Sequence, residues 1–190
     1  MQQHSKLNIS SHIFQHRTHD YADFSGQVIT SEQFNLELGI QKRIAIIGLD
    51  QKTVASLEKL RKAAQSIQVF QIQPAFILPQ SEIKYSRAVQ HPLLLKNKRL
   101  LNNRIKSILA LRFLDSQIQD NWLKRQLTPN IALENKVFLK SDDYYHALQQ
   151  ANCQLITWPI KKITANAIEC VDGSIFPIDV IITTAMNRSE

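Results

Sequence analysis

The feature that most restricts the fold of this chain is a strand–helix–strand pattern within about 30 residues. Residues 43–48 form a short, almost wholly apolar run, as a buried parallel strand requires. Residues 51–64 then place apolar side chains at helical spacing, with Lys and Glu between them. Residues 67–71 have the composition of a second strand. Elements of these lengths predict a right-handed βαβ unit and therefore a parallel sheet.

The rest of the chain extends this unit. Residues 27–42 are predicted to form a strand or a short hairpin, and residues 105–126 a long helix that Pro129 ends. Ser141 is predicted to cap a helix that runs to about Gln149. Further strands are predicted at residues 137–139, 153–157, 159–163, 166–171 and 178–183. The predicted fold class is α/β, a Rossmann-like parallel sheet flanked by helices, with a small antiparallel addition near the C-terminus.

Composition excludes several classes of protein. The chain of 190 residues is 44% hydrophobic, which is enough for a packed core and unlike a disordered or fibrous protein. It has no run of about 18 apolar residues and no apolar leader, and its two cysteines lack metal or redox spacing. We therefore predict a cytoplasmic protein with no membrane span. The net charge of +7 permits binding to nucleic acid or an anionic surface without establishing it.

Four stretches follow one another in an order that is typical of one enzyme family. They are residues 43–53, residues 69–79, residues 127–130 with 137–148, and residues 152–182 with a turn at Asp172-Gly173. In this order the chain resembles the flavin-containing and Baeyer–Villiger-type monooxygenases over roughly residues 12 to 186. The match would correspond to the middle part of a full-length enzyme. The resemblance implies a nicotinamide-nucleotide-binding domain, in a family whose flavin carries the oxygen chemistry.

The turn after the first strand departs from what the resemblance requires. A dinucleotide-binding turn uses three glycines, for the tight turn, for approach of the backbone to pyrophosphate and for helix packing. Here residues 48–53 read Gly-Leu-Asp-Gln-Lys-Thr, so Gly48 remains and Asp50 replaces the second glycine. A carboxylate about 4 Å from a phosphate charge costs on the order of 4 kcal/mol at an effective dielectric near 20. If a nicotinamide nucleotide binds, Gly48, Lys52 and Thr53 are the candidate residues that line its phosphates.

Other cofactor contacts implied by the resemblance are missing too. Ile72 stands where the family places an arginine for the 2′-phosphate of NADPH, and Thr184-Ala185-Met186 replaces an Ala-Thr-Gly turn near the flavin. The family's FAD-binding motif lies upstream, and we expect too few residues before Gly48 to hold it. We therefore predict no bound cofactor, with NADP as the alternative and with FAD only if a partner chain supplies its domain.

These departures predict a degenerate domain. Residues 1–42 are assigned to an N-terminal arm and lead-in segment, and residues 43–190 to the dinucleotide-binding-like domain. The predicted function is that of a free-standing NAD(P)-binding-like module, a pseudoenzyme unable to catalyse monooxygenation alone. It would act through self-association or through a partner subunit that carries a flavin domain. The alternatives are an oxidoreductase component that binds NADPH with altered contacts, and a protein that binds anions or nucleic acid.

Three other groups of polar residues admit a functional and a structural interpretation. The spacing of His12, His16 and His19 suits a metal ion, but solvated histidines on an arm are favoured. A basic cluster without interleaved aromatics could contact phosphate, but a solvated or partner-facing stripe is favoured; it consists of Lys96, Lys98, Arg99, Arg104 and Lys106. Asp142 and Asp143 are interpreted as helix-start residues rather than as acid–base groups. No catalytic or metal-binding residue is predicted.

Overall fold

Three sheets organise the described part of the protein. The computed structural model describes residues 21–80, 98–130 and 136–184, with side-chain detail in the second range beginning at residue 103. The main sheet is parallel and has the order β1-β10-β2-β3-β6. Its strands are β1 (Gln27–Thr30), β2 (Arg43–Ile47), β3 (Ser66–Phe70), β6 (Cys153–Ile156) and β10 (Val180–Thr183).

The strands of the two smaller sheets are not hydrogen-bonded to the main sheet. A parallel pair joins β4 (Phe76–Leu78) to β5 (Phe138–Lys140). An antiparallel sheet contains β7 (Ile160–Ile163), β8 (Ala167–Cys170) and β9 (Ile175–Pro177). The predicted fold class is therefore confirmed, including the small antiparallel addition near the C-terminus. Strand β1 lies in the segment that was assigned to the lead-in, and it is a member of the main sheet.

The helices are α1 (Gln51–Ala63), α2 (Lys98–Gln117), α3 (Asn121–Leu127) and α4 (Tyr144–Leu148). A 3₁₀ turn, Leu36–Gly39, follows β1. The single helix predicted at residues 105–126 is divided in two because Asp120 begins a new helix, with its Oδ1 accepting from the Trp122 backbone N at 2.8 Å. Trp122, the second residue of α3, is 68% exposed. No helix in the described ranges is long and apolar enough to span a membrane.

The core has two layers, one on each face of the main sheet. In β2, Ile44 and Ile46 face the helices, whereas Ala45 faces the antiparallel sheet, and all three are buried. This explains the continuous apolar sequence of β2, because a central parallel strand is covered on both faces. The helical layer includes Leu57 of α1 and Tyr145 of α4.

An ion pair fixes β10 beside β2 at the amino-terminal edge of the sheet. Arg43 Nη2 lies 2.6 Å from Asp179 Oδ1, and Arg43 Nε donates to Asp179 Oδ2 at 3.0 Å. Side-chain hydrogen bonds from Arg43 hold the pKa of Asp179 at about 2. Because the five strands are parallel, their carboxyl ends all meet at the opposite edge, where ligands bind in open α/β sheets.

Candidate functional site

The candidate site is the carboxyl edge of the main sheet, where the chain leaves four neighbouring strands. Ser31 follows β1, Gly48 follows β2, Gln71 follows β3 and Thr184 follows β10. The three candidate phosphate-binding residues lie in this region, with Gly48 in the turn and Lys52 and Thr53 in the first turn of α1.

Gly48 makes a turn that other residues would strain. Its φ is +84°, in the left-handed region that glycine adopts without a steric cost. A Cβ built on Gly48 would lie 2.6 Å from Thr184 Oγ1. The Gly48 N–H donates to the carbonyl of Phe70 at 3.2 Å, so the turn is also tied to the end of β3. Gly48, the glycine retained in the turn after β2, is therefore required by the backbone and by Thr184, independently of any ligand.

Asp50 occupies the N-terminus of α1 as its N-cap. Its Oδ1 accepts from the Thr53 backbone N at 2.8 Å, and Thr53 Oγ1 accepts from the Asp50 backbone N at 3.0 Å, which completes a capping box. The buried Ser31 hydroxyl donates to Asp50 Oδ2. Burial raises the pKa of Asp50, but the hydrogen bonds from Ser31, Thr53 and Lys52 outweigh it, and the net pKa lies below the usual value.

This cap has a direct consequence for anion binding. Phosphates bind at helix N-termini because free backbone N–H groups and the helix dipole favour negative charge there. In α1 the carboxylate of Asp50 already supplies that charge and accepts from the first turn. The Thr53 hydroxyl is engaged with Asp50 as well. The N-terminus of α1 is thus capped by the chain's own anion, whose charge opposes that of a pyrophosphate.

Lys52 bridges two loops of the edge. Its Nζ donates to the backbone carbonyl of Glu32 at 2.7 Å. Together with the Ser31–Asp50 hydrogen bond, this contact ties the loop after β1 to the N-terminus of α1. The structure therefore brings all three candidate residues together but gives each of them an intramolecular contact.

The loop after β3 has no cationic side chain. Residues 71–80 contain neither Lys nor Arg, and Ile72 is 55% exposed. Gln71 is buried, its Oε1 accepts from Tyr144 Oη at 2.8 Å, and its Nε2 donates to the Gln73 carbonyl at 3.1 Å. Burial raises the pKa of Tyr144 well above its usual value, so this hydroxyl is a neutral donor. The Tyr144–Gln71 hydrogen bond joins α4 to the carboxyl edge of the main sheet, and neither side chain is charged.

Gln51 is a residue of this region that the sequence did not reveal. Its side-chain amide donates to the carbonyl of Lys140 at 2.8 Å and accepts from the Lys140 backbone N at 2.9 Å. It therefore pairs with the end of β5 as another strand would. The two residues are 89 positions apart, and no local pattern links them.

Asp142 and Asp143 were predicted to lie in the first turn of a helix, but they lie just before α4. Asp142 Oδ1 accepts from the Gln80 backbone N at 2.9 Å, which joins the ends of β4 and β5. Ser141 Oγ accepts from the backbone N of Asp143 and of Tyr144 at 3.2 and 3.1 Å. The helix itself begins at Tyr144, with Asp143 as the N-cap residue and without a side-chain capping bond from it. The helix therefore begins two residues later than the predicted cap at Ser141 implies.

The remaining sequence candidates do not form a second site within the described residues. His12, His16 and His19 lie outside the described ranges, as does Lys96, and the side chains of Lys98 and Arg99 are not described. Of the basic cluster, Arg104 is exposed and Lys106 Nζ lies 6.0 Å from the centroid of the Phe138 ring. The described ranges hold no group of three or more His, Cys, Asp or Glu side chains that could bind a metal ion.

Comparisons with known proteins find relatives among the monooxygenases. No family model matches the chain. It is 30% identical over 183 residues to a Baeyer–Villiger monooxygenase of Pseudomonas aeruginosa, covering 84% of this chain and 35% of that enzyme. It is also 30% identical over 195 residues to the FAD-binding monooxygenase ktnD of Aspergillus niger, covering 88% and 32%. The chain thus spans about a third of the length of these curated relatives.

Solved structures agree on the fold. An open crystal structure of cyclohexanone monooxygenase matches with a TM-score of 0.67 at 17% identity, over 88% of this chain and 44% of that one. The cyclohexanone monooxygenase from Rhodococcus sp. Phi1, bound to NADP+, matches with a TM-score of 0.67 at 16% identity, over 88% and 43%. At these identities the likeness shows a common fold.

Proposed function

We propose that this chain, which is related to one part of the Baeyer–Villiger and FAD-binding monooxygenases, has the fold of a nicotinamide-nucleotide-binding domain without binding a nucleotide. The relationship confirms the resemblance inferred from the sequence, and it extends over about a third of the curated relatives. In this proposal the chain does not catalyse monooxygenation alone. It acts as a module that associates with another polypeptide, and any flavin is supplied by that polypeptide.

The observation that carries the proposal is the capping of α1 by Asp50. A similar structure, the Rhodococcus cyclohexanone monooxygenase, was solved with NADP+ bound. Binding the phosphates of a nucleotide at a helix needs an N-terminus whose backbone N–H groups are free to donate to them. Here the Asp50 carboxylate accepts from the backbone N and the hydroxyl of Thr53, and Ser31 donates to its other oxygen. Its lowered pKa keeps the carboxylate charged at neutral pH, so it repels a pyrophosphate.

Two further contacts support the loss of nucleotide binding. Lys52, the cation in this turn, donates to the Glu32 carbonyl, and phosphate would have to compete with that hydrogen bond. Ile72 is exposed at the end of β3, in a loop without a cation for a 2′-phosphate. Replacing a bidentate cation by an alkyl side chain removes the charge-assisted hydrogen bonds that select a phosphate.

Exposed apolar side chains at the same edge support a role in association. Ile72 is 55% exposed and Trp158 is 56% exposed. Each lies two residues beyond a strand end, since Phe70 ends β3 and Ile156, its partner in register, ends β6. Large exposed apolar groups at a rim of polar residues are typical of surfaces that bind other proteins.

The alternative, an oxidoreductase component that binds NADPH through Gly48, Lys52 and Thr53, makes the opposite prediction for ligand binding. It is tested by isothermal titration calorimetry and thermal shift with NADPH and NADP+, using the Rhodococcus cyclohexanone monooxygenase, which was solved with NADP+ bound, as a positive control. A ligand at 100 times its Kd stabilises by about 2.7 kcal/mol, which would raise Tm by roughly 5–11 °C in a chain of this size.

We expect no saturable heat and no rise in Tm with up to millimolar NADPH or NADP+. Saturable binding that Lys52→Ala weakens would establish the alternative and overturn the proposal. A parallel titration with duplex DNA at two salt concentrations tests the anion-binding alternative, which requires binding that weakens steeply as salt rises.

A further inference from the structure

Helix α2 carries an exposed stripe with an ordered sequence of charges. The stripe consists of Arg104, Ile108, Leu111 and Asp115, at spacings of four, three and four residues, which place them along one side of a helix. Ile108 is 51% exposed, Leu111 is half-buried, Arg104 is exposed and the Asp115 side chain is 75% exposed. The side of α2 that packs against the protein is a different one, defined by the buried residues Ser107, Ala110, Leu114 and Ile118 next to its C-terminus.

The stripe is self-complementary when its direction is reversed. Read from its N-terminus, it is cationic, apolar, apolar and anionic; read from its C-terminus, it is anionic, apolar, apolar and cationic. Arg104 and Asp115 are separated by eleven residues, or about 16 Å along the helix axis. An antiparallel second copy would therefore place each Arg104 opposite Asp115 of the other copy, with the two Ile108–Leu111 pairs in contact between them.

The ends of α2 give an independent reason for an antiparallel neighbour. The first turn contains no acidic residue and the last turn no basic residue, so neither end of the helix dipole is compensated by a side chain in its own terminal turn. An antiparallel helix brings its negative C-terminal end beside the positive N-terminal end of the first one. An antiparallel pair of α2 helices therefore pairs the opposite charges of the stripes and also compensates the helix dipoles.

We propose that the stripe on α2, formed by Arg104, Ile108, Leu111 and Asp115, is the contact surface of a symmetric dimer of this chain, with the two helices antiparallel. This inference rests on the proposed role in association and is independent of whether nucleotide is bound. A two-fold interface requires a surface that complements itself, which is the property this stripe has.

Two features set the strength of the dimer. Asp115 Oδ1 already accepts from Lys124 Nζ of α3 at 2.7 Å, which holds the carboxylate in place while leaving most of it open to a second cation. Each copy carries a net charge of +7, so the two chains repel each other at a distance. A single helix pair buries less area than a stable standard interface, and we expect a Kd on the order of 10–100 µM.

The test is sedimentation velocity from about 5 to 300 µM protein, a range that brackets the expected Kd. Arg104→Glu and Asp115→Arg each place like charges opposite one another and are expected to raise the dimer Kd at least tenfold. An equimolar mixture of these two variants is expected to form a heterodimer, because an all-anionic stripe then meets an all-cationic one. Ile108→Ser is expected to weaken the dimer, whereas the control Lys59→Glu, the same reversal on the exposed side of α1, leaves it unchanged.

Circular dichroism melts confirm that every variant is folded before it is compared. A wild-type chain that stays monomeric at 300 µM overturns the proposal. So does a wild-type dimer whose Kd neither charge reversal changes, and so does a mixture of the two variants that forms no heterodimer. None of these results depends on nucleotide binding. Failure of the dimer therefore leaves the assignment of Asp50 intact, and NADPH binding leaves the dimer test intact.

Discussion

Replacing Asp50 with alanine measures how firmly α1 and the loop after β1 are held together. The change removes an N-cap, which costs about 1 kcal/mol. It also leaves the buried Ser31 hydroxyl without its acceptor, at a cost of about 1–3 kcal/mol. The sum is about 2–4 kcal/mol, and at 2–4 °C per kcal/mol this lowers Tm by about 4–16 °C.

Urea denaturation followed by circular dichroism gives the free energy of unfolding, and Asp50→Asn is the matched control. Asparagine keeps an oxygen for the Thr53 N–H and an amide that the Ser31 hydroxyl can accept from, so it should cost less than about 1 kcal/mol. The reasoning is refuted if alanine costs under about 0.5 kcal/mol, or if asparagine and alanine cost the same. Ser31→Ala combined with Asp50→Ala should show a coupling of about 1 kcal/mol or more.

The same comparison at acid pH has a defined sign. The pKa of Asp50 in the folded chain lies below its usual value, so the carboxylate stabilises the fold above the unfolded pKa of about 3.9. That contribution is lost as pH falls through the folded pKa. The difference between wild type and Asp50→Ala should therefore be largest near neutrality and shrink below about pH 4.

Two further predictions concern the same elements. Gly48→Ala should destabilise the chain more than Gly173→Ala in urea denaturation, because both have positive φ but only a Cβ at Gly48 meets Thr184 Oγ1, at 2.6 Å; equal costs would show that crowding is absent. Hydrogen bonds from Arg61 hold the pKa of Glu58 at about 2, so the ionised Glu58 stabilises the fold, and this contribution to the free energy of unfolding is lost as pH falls from about 4.5 to 2. Glu58→Gln should therefore lower the free energy of unfolding at neutral pH and make it less dependent on pH in this range. A variant with the acid profile of the wild type would contradict this.

Local patterns in the sequence determine part of this fold. Strand β2, helix α1 and strand β3 lie within one or two residues of their predicted bounds, because the pattern of apolar residues and the Asp50 cap act over a few positions. The break between α2 and α3 was missed although its signal, Asp120 before Asn121, was in the sequence. A periodic run of apolar residues outweighed a single capping residue in that prediction.

Contacts between distant residues could not be predicted in the same way. Asp50 was interpreted as a charge unfavourable to phosphate, but its role as acceptor for Ser31 requires knowing that β1 lies two strands from β2. The contact from Lys52 to the Glu32 carbonyl depends on the same arrangement. Lys52 and Thr53 lie in the first turn of the helix after β2, where the sequence placed them. Their intramolecular hydrogen bonds follow from topology and not from spacing along the chain.

The position of β10 between β1 and β2 determines when the sheet can be completed. Within the described part of the chain, β1 pairs with β10 and with no other strand, and its partner residues lie about 150 positions later in the sequence. During synthesis, β2 and β3 can pair at once, whereas β1 has no neighbour until residues 180–183 have left the ribosome. Non-local pairing of this kind slows folding. The hydrogen bond from Ser31, in the loop after β1, to Asp50 therefore depends on the insertion of β10 between β1 and β2.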